Sequence, residues 1–133
     1  MLRLPKFRLH QPATLAEAAS ILAAAGGAGE AARLVAGGTD LWPNLKRRHQ
    51  KAGEVVSLSR LQELRAVEPN GDLHLGAMAT LTSVERHAAV RERFPALAAA
   101  VGWISSPVLR NMGTIGGNVC LDTRCTYYNQ NEE

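Results

Sequence analysis

The sequence predicts an α/β (α+β) fold, with helices and strands mixed along the chain. Two segments open on the capping-box pattern of a helix start, and several short apolar runs have the length of buried strands. An Asn-Gly pair between alternating apolar residues predicts a hairpin. The chain has 133 residues, 46% of them hydrophobic, which is enough for one compact domain with a core and too little for two.

The first elements are a short strand and a helix. The strand is expected around Phe7 to Leu9. Thr14-Leu15-Ala16-Glu17 then predicts a helix start, because the threonine hydroxyl can accept from the third helical amide while the glutamate reaches back. Apolar residues follow at helical spacing, and Gly26-Gly27 predicts the end of the helix.

A strand, a turn and a second helix follow. Ala32 to Ala36 fits a buried strand and Gly37 to Asp40 fits a turn. Leu41 to Arg48 has helix-forming character, and it tolerates Pro43 because a residue in the first turn needs no amide donor. Glu54 to Leu58 predicts the next strand.

The second half of the chain begins with the predicted hairpin. Asn70-Gly71 favours a two-residue turn, because both residues tolerate positive φ. Thr82-Ser83-Val84-Glu85 predicts a helix running towards Val90, and Pro95 starts another. Met112 to Val119 is rich in glycine and is predicted to enter a strand.

Composition and charge argue against several classes of protein. The 15 basic and 12 acidic residues give a net charge of +3 without a concentrated basic stripe, so no nucleic-acid partner is expected. No apolar run approaches the roughly 20 residues that span a bilayer, so no membrane partner is expected and a cytoplasmic location is predicted. Cys120 and Cys125 are too few for a disulfide framework, and the histidines lack metal-ligand spacing.

Two glycine-rich segments form the candidate binding site. Glycine lets a backbone approach a ligand closely, and amides at a turn or at a helix start can cradle an anion such as a pyrophosphate. Neither segment matches a dinucleotide fingerprint or a P-loop, so an ordinary turn and a bulge stay open as alternatives. The first segment comprises Leu34, Val35, Ala36, Gly37, Gly38, Thr39, Asp40 and Leu41, and the second Gly113, Thr114, Ile115, Gly116, Gly117 and Asn118.

Individual polar and aromatic residues near these segments have simpler expected roles. Asp40 is expected to cap the following helix and not to touch a phosphate. Arg110 is expected in a surface ion pair, with phosphate binding as the alternative, and Trp103 in the core or an interface, with flavin stacking as the alternative. No residue is expected to act as an acid, base or nucleophile.

Taken together, Ala36–Leu41 and Arg110–Asn118 resemble the flavin subunits of the xanthine dehydrogenase and carbon monoxide dehydrogenase family. The resemblance covers essentially the whole chain. It implies an FAD-binding domain of the PCMH type over residues 1–133, comprising the N-terminal subdomain and the start of a second, truncated at the C-terminal end. It also implies that both segments wrap FAD, and that the partners are a large subunit with a molybdenum cofactor and a small [2Fe–2S] subunit.

The stretch Gly116–Gln130 is similar to the flavin subunits of 4-hydroxybenzoyl-CoA reductases. This similarity implies an electron-transfer subunit, with electrons passing from a ferredoxin-like donor through a [4Fe–4S] cluster to FAD and on to the molybdenum centre. There the phenolic hydroxyl of a CoA thioester is removed. Cys125 matches the first cluster ligand, but a cubane cluster needs four thiolates and this chain has two cysteines. Cys125 is therefore predicted to bind metal only if the other ligands are supplied, and no cluster is expected in this chain.

Three alternatives stay open on the sequence. The first is a flavin subunit of another molybdenum hydroxylase, acting on an aldehyde, a purine or carbon monoxide. The second is a fragment that binds no flavin. The third is a phosphate- or nucleotide-binding module unrelated to flavins.

Overall fold

The structure, a computed structural model, describes residues 2–29 and 31–122. Its first half contains a parallel three-stranded sheet of β1 (Arg8–His10), β2 (Ala32–Val35) and β3 (Glu54–Ser57), in the order β1-β3-β2. Because β3 is central, Glu54 has a register partner on each side, Arg8 in β1 and Ala32 in β2. The α/β class and the three predicted strands are confirmed.

Two helices cover the two faces of this sheet. They are α1 (Leu15–Ala24) and α2 (Leu41–Arg47). Successive strand residues point to opposite faces, and the neighbours Val55 and Val56 of β3 are both fully buried. Val55 packs in a cluster with residues of α2, whereas Val56 packs in another cluster with Ala18 of α1. The central strand is therefore covered on both sides, as expected for a parallel sheet.

The ends of α1 follow the sequence prediction. Thr14 is the N-cap, and its hydroxyl accepts a hydrogen bond from the Glu17 amide at 3.2 Å. The Glu17 carboxylate accepts a hydrogen bond from the amide of Ala13 at 2.7 Å. The capping-box pattern predicts the amide of Thr14, one residue later, as the donor. Gly26 and Gly27 follow the helix with φ values of +82° and +94°, in the left-handed region that glycine favours.

Removing the N-cap hydroxyl should destabilise the protein measurably. Thr14→Ala is expected to lower the free energy of unfolding by about 1 kcal/mol, because the Glu17 amide loses its acceptor. Thr14→Ser keeps that acceptor and should stay within about 0.5 kcal/mol of the parent. Urea unfolding followed by far-ultraviolet circular dichroism measures both, and an equal loss in the two variants would contradict the capping role.

The hairpin is present, but its turn is longer than predicted. β4 (Val67–Glu68) pairs antiparallel with β5 (His74–Leu75), so residues 69–73 all lie in the loop. Of the Asn-Gly pair, only Gly71 has a positive φ, at +76°. The prediction of a two-residue turn is therefore wrong. The reason is Pro69, which has no amide hydrogen with which to extend the hydrogen bonds between β4 and β5.

Five short helices follow within the described residues: α3 (Leu81–Arg86), α4 (Ala88–Arg93), α5 (Pro95–Gly102), α6 (Pro107–Arg110) and α7 (Ile115–Val119). The N-cap of α3 is Thr80, whose hydroxyl accepts from the Ser83 amide at 3.0 Å, and not the predicted Thr82. The predicted continuous helix to Val90 is also interrupted, because His87 is extended with ψ at 122°. None of the helices within the described residues is long and apolar enough to cross a membrane.

A second core lies beneath these helices. Val84, Val90 and Val101, from α3, α4 and α5, are almost completely buried and pack together. Leu81 belongs to the same cluster, at the start of α3. The described residues thus have a core cluster on each face of the parallel sheet and another among the helices. The glycine segments lie between the α2 side of the sheet and the helical cluster, since Gly38 is packed against Trp42 and Gly113 against Leu81.

Candidate functional site

The first glycine segment joins β2 to α2, and two of its positions require glycine for internal packing. Gly38 has φ +73°, in the left-handed region, and a Cβ there would overlap the indole of Trp42. A Cβ on Gly37 would overlap the carbonyl of Met112. The shape of this turn is therefore set by the protein itself.

Three amides of this turn have no acceptor in the part of the chain that the structure describes. No described residue accepts a hydrogen bond from the backbone amide of Gly37, Gly38 or Thr39. Consecutive backbone amides in a turn are a recurrent way of binding an anion. The first segment therefore offers the kind of donor set that the sequence predicted.

Asp40 does not cap α2 with its side chain. It occupies the N-cap position, but its backbone is helical (φ −103°, ψ −48°) and not extended, and the side chain makes no capping hydrogen bond. Its Oδ2 instead accepts a hydrogen bond from the amide side chain of Asn44 at 2.8 Å. The predicted capping role of Asp40 is wrong, because the carboxylate is directed along the helix to this fully buried asparagine.

The second glycine segment begins a helix. The predicted strand is wrong: residues Ile115–Val119 form α7, with Thr114 as its N-cap. The Thr114 hydroxyl, which is buried, accepts from the Gly117 amide at 3.1 Å. This cap starts a helical turn despite the two glycines, whose own helix propensity is low.

The first amides of α7 are already used inside the protein. The Ile115 amide donates to the carbonyl of Ala79 at 2.9 Å, and that of Gly116 to the carbonyl of Ala77 at 3.0 Å. A Cβ on Gly116 would lie 2.7 Å from the Cβ of Ala77, so this glycine serves close packing. The prediction that both segments offer amides to a ligand is therefore wrong for Gly116 and Gly117, whose amides have internal acceptors.

The two segments touch each other. Beyond the contact of Gly37 with Met112, a Cβ on Gly113 would lie 3.8 Å from the hydroxyl oxygen of Thr39. A Cβ on Gly117 would lie 3.9 Å from the Cβ of Ala36. Segments that are about 75 residues apart in sequence thus form one continuous surface.

This surface lines a single cavity of about 470 Å³, within the range of about 300–1,000 Å³ found for ligand sites. Every predicted residue from Leu34 to Leu41 lines it. Ile115 is the exception among the predicted residues of the second segment, because it packs against the helical core. The predicted lining residues of the second segment are Gly113, Thr114, Gly116, Gly117 and Asn118.

The sequence did not single out the other walls of the cavity. Most of these residues are apolar or small, so their local pattern fits a core position as well as a ligand contact. The additional lining residues are Arg33, Gln50, Leu58, Ala77, Leu81, Ile104, Ser105, Leu109, Cys120, Leu121 and Asp122.

Charged side chains supply little net attraction for an anion in this cavity. Among the described residues, those lining it are Arg33, Asp40 and Asp122, one basic against two acidic. A phosphate group bound here would therefore depend on the free amides of the first segment and not on a cluster of cations. Among the described lining residues, no nucleophile is paired with a base.

Arg110 and Trp103 are both placed outside the cavity wall. The predicted ion pair of Arg110 is confirmed, with Glu85 at 3.0 Å, but it is partly buried and not on the open surface, since the side chains of Arg110 and Glu85 are 11% and 31% exposed. Its guanidinium donates to Glu85 and to the carbonyls of Ile104 and Ser105. Trp103 is 90% exposed, which makes the prediction of a core position wrong.

Within residues 2–29 and 31–122, no three His, Cys, Asp or Glu side chains are grouped as a metal site. Cys120 is a free, exposed thiol at the edge of the cavity. Cys125, the predicted cluster ligand, lies outside the described residues.

Residues 5–127 match the family described as the FAD binding domain in molybdopterin dehydrogenase. The chain is 35% identical over 116 residues to the carbon monoxide dehydrogenase medium chain of Hydrogenophaga pseudoflava, covering 86% of this chain and 39% of that relative. It is 38% identical over 115 residues to the nicotinate dehydrogenase FAD-subunit of Eubacterium barkeri, covering 85% and 38%.

The fold is also similar to a solved structure. Carbon monoxide dehydrogenase from Hydrogenophaga pseudoflava, in a form that lacks the Mo-pyranopterin moiety of its cofactor, superposes with a TM-score of 0.82 and 34% sequence identity. The match covers 88% of this chain and 40% of that one. The chain thus spans about two fifths of the length of these relatives.

Proposed function

The chain belongs to the family of FAD-binding domains of molybdopterin dehydrogenases, and from that membership we propose that it binds FAD in the cavity between its two glycine segments. The observation that carries the proposal is the shared cavity itself. Two segments distant in sequence meet there, and one of them presents three amides without an internal acceptor. We further propose that residues 1–133 act as one FAD-binding domain of the PCMH type.

The two segments have different tasks in this proposal. The amides of Gly37, Gly38 and Thr39 donate to the diphosphate of FAD, because they are the uncommitted donors of the turn. The second segment lets FAD approach its backbone closely. Gly117 is exposed, and it has no side chain to fill the space beside it. Asn118 contributes its side-chain amide at the same wall.

We propose electron transfer as the role of the subunit. Bound FAD accepts or gives one or two electrons, and the protein supplies position and electrostatic surroundings. The residues of the cavity bind and orient the cofactor, and none is assigned a proton transfer. The proposed partners are a large subunit with a molybdenum cofactor and a small [2Fe–2S] subunit, and a cytoplasmic location stays a prediction.

The more specific assignment is to a 4-hydroxybenzoyl-CoA reductase, with a ferredoxin-like donor and aromatic degradation as its setting. It is supported by the sequence around Cys125 and by the similarity of Gly116–Gln130. A subunit of another molybdenum hydroxylase is the alternative, and the relatives named above are dehydrogenases of carbon monoxide and nicotinate. The complex with both partner subunits should reductively dehydroxylate 4-hydroxybenzoyl-CoA, and oxidation of carbon monoxide or a purine instead would contradict this assignment.

Titration of the purified chain with FAD tests the main proposal. We expect saturable quenching of flavin fluorescence with a dissociation constant of roughly micromolar or below. ADP should compete weakly and riboflavin more weakly still, because each carries only part of the contacts. A chain that never takes up FAD would support the fragment alternative, and equal binding of ADP and FAD would support a general nucleotide module.

A further inference from the structure

One wall of the cavity is a short connection whose backbone is strained. Ile104 and Ser105 line the cavity, and they lie between the end of α5 and the start of α6. Ser105 has φ +54°, in the left-handed region that residues with a side chain rarely adopt. A non-glycine residue stays in this conformation only where surrounding contacts hold it there.

Arg110, which does not line the cavity, supplies contacts of this kind. Its Nη1 donates to the carbonyl of Ile104 at 3.1 Å and to that of Ser105 at 3.2 Å. Its Nε donates to the carboxylate of Glu85 at 3.0 Å. The Arg110 side chain is 11% exposed, so these bonds are shielded from water.

Glu85 keeps the guanidinium oriented. It lies on α3, and its carboxylate packs beside Gly102, where an added Cβ would come within 3.3 Å of Oε1. A planar guanidinium can bridge a carboxylate on one edge and carbonyls on another, which a lysine ammonium cannot do in the same fixed geometry. The arrangement thus connects α3, through one side chain, to two successive carbonyls of the wall.

We propose that Arg110 is a positioning residue of the FAD site. By holding the carbonyls of Ile104 and Ser105, it keeps this wall in the conformation that the cofactor meets. This inference rests on the proposed function, because it assigns a purpose to the wall only if FAD occupies the cavity. It gives Arg110 a role in cofactor binding without contact to the cofactor.

The test compares two variants of the full chain that differ only at Arg110. Glu85→Gln removes the ion pair and leaves the bonds to the two carbonyls. Glu85→Gln with Arg110→Met removes those bonds as well, without leaving an unpaired carboxylate. Arg8→Met, which breaks the exposed pair with Glu54, serves as a control for loss of an arginine.

Two readouts are needed, FAD affinity and amide hydrogen exchange of residues 103–106 without FAD. In the double variant we expect the dissociation constant for FAD to rise about tenfold relative to Glu85→Gln, because hydrogen bonds from a charged donor are lost. Exchange at 103–106 should become faster, while exchange in β3 stays unchanged. General destabilisation would instead accelerate exchange throughout the chain.

The outcomes separate this inference from the proposed function. If the parent chain binds FAD, and the double variant binds it as tightly with unchanged exchange at 103–106, Arg110 has no positioning role. Faster exchange throughout the chain also overturns the inference, because it shows a structural role only. If the parent chain binds no FAD at all, the proposed function fails and this inference fails with it.

Discussion

A chain carrying Gly37→Ala should lose about 3 kcal/mol of its unfolding free energy, the upper end of the usual cost of overpacking. The added methyl group would overlap the backbone carbonyl of Met112, with the amide of Gly113 only 3.3 Å away. Backbone atoms cannot rotate out of the way as the end of a flexible side chain can. The two glycine segments must therefore move apart to accommodate the methyl group. Urea unfolding measures the loss, and FAD binding should weaken as well because the segments share the cavity.

Gly29→Ala is the matched control for this substitution. Gly29 has no atom within 4 Å of an added Cβ and does not have a positive φ. The same change should therefore alter the unfolding free energy by no more than about 0.5 kcal/mol. If both variants were equally stable, the close contact of Gly37 with Met112 would not exist in solution.

Gly117→Val should abolish FAD retention while leaving the fold intact. The nearest atoms to an added Cβ are the Thr114 hydroxyl at 3.1 Å and the Ala36 Cβ at 3.9 Å, so the hydroxyl need shift only slightly. The two methyl groups would project into the space proposed for the cofactor. We expect the dissociation constant for FAD to rise about a hundredfold or more, equivalent to roughly 3 kcal/mol.

His87→Ala provides the comparison, because His87 does not line the cavity and begins a helix on the other core. Equilibrium dialysis with FAD, together with circular dichroism of both variants, measures retention and fold separately. Equal retention in the two variants would remove Gly117 from the site. Loss of the folded spectrum in Gly117→Val would show that the glycine is needed for packing and not for the ligand.

Local patterns predicted the first half of the fold well. The strands, the capping box at Thr14 and the glycine stop after α1 all depend on neighbours in sequence, and tertiary packing agrees with them. The predictions failed where residues distant in sequence determine the local structure. The prediction that Met112 to Val119 enters a strand is an example. This segment forms a helical turn whose first amides donate to the carbonyls of Ala77 and Ala79, which lie far away in the sequence.

The candidate site was predictable only in part, for a related reason. Glycine clusters indicate where a backbone needs freedom, so both segments could be found from sequence. The sequence does not show which amides stay free after folding. Among the described residues those of Gly37, Gly38 and Thr39 do, while those of Ile115 and Gly116 do not. The strained Ser105 was invisible too, since serine carries no signal for a left-handed backbone.

The strand order has a consequence for how the chain assembles. β1 and β2 both pair with β3 and not with each other, and Arg8 meets Glu54 across 46 residues. During synthesis neither outer strand can find its hydrogen-bonded neighbour until residues 54–57 have left the ribosome. The three strands therefore come together late, when a long loop closes, whereas the residues of α1 and α2 all precede β3 and can become helical before that step.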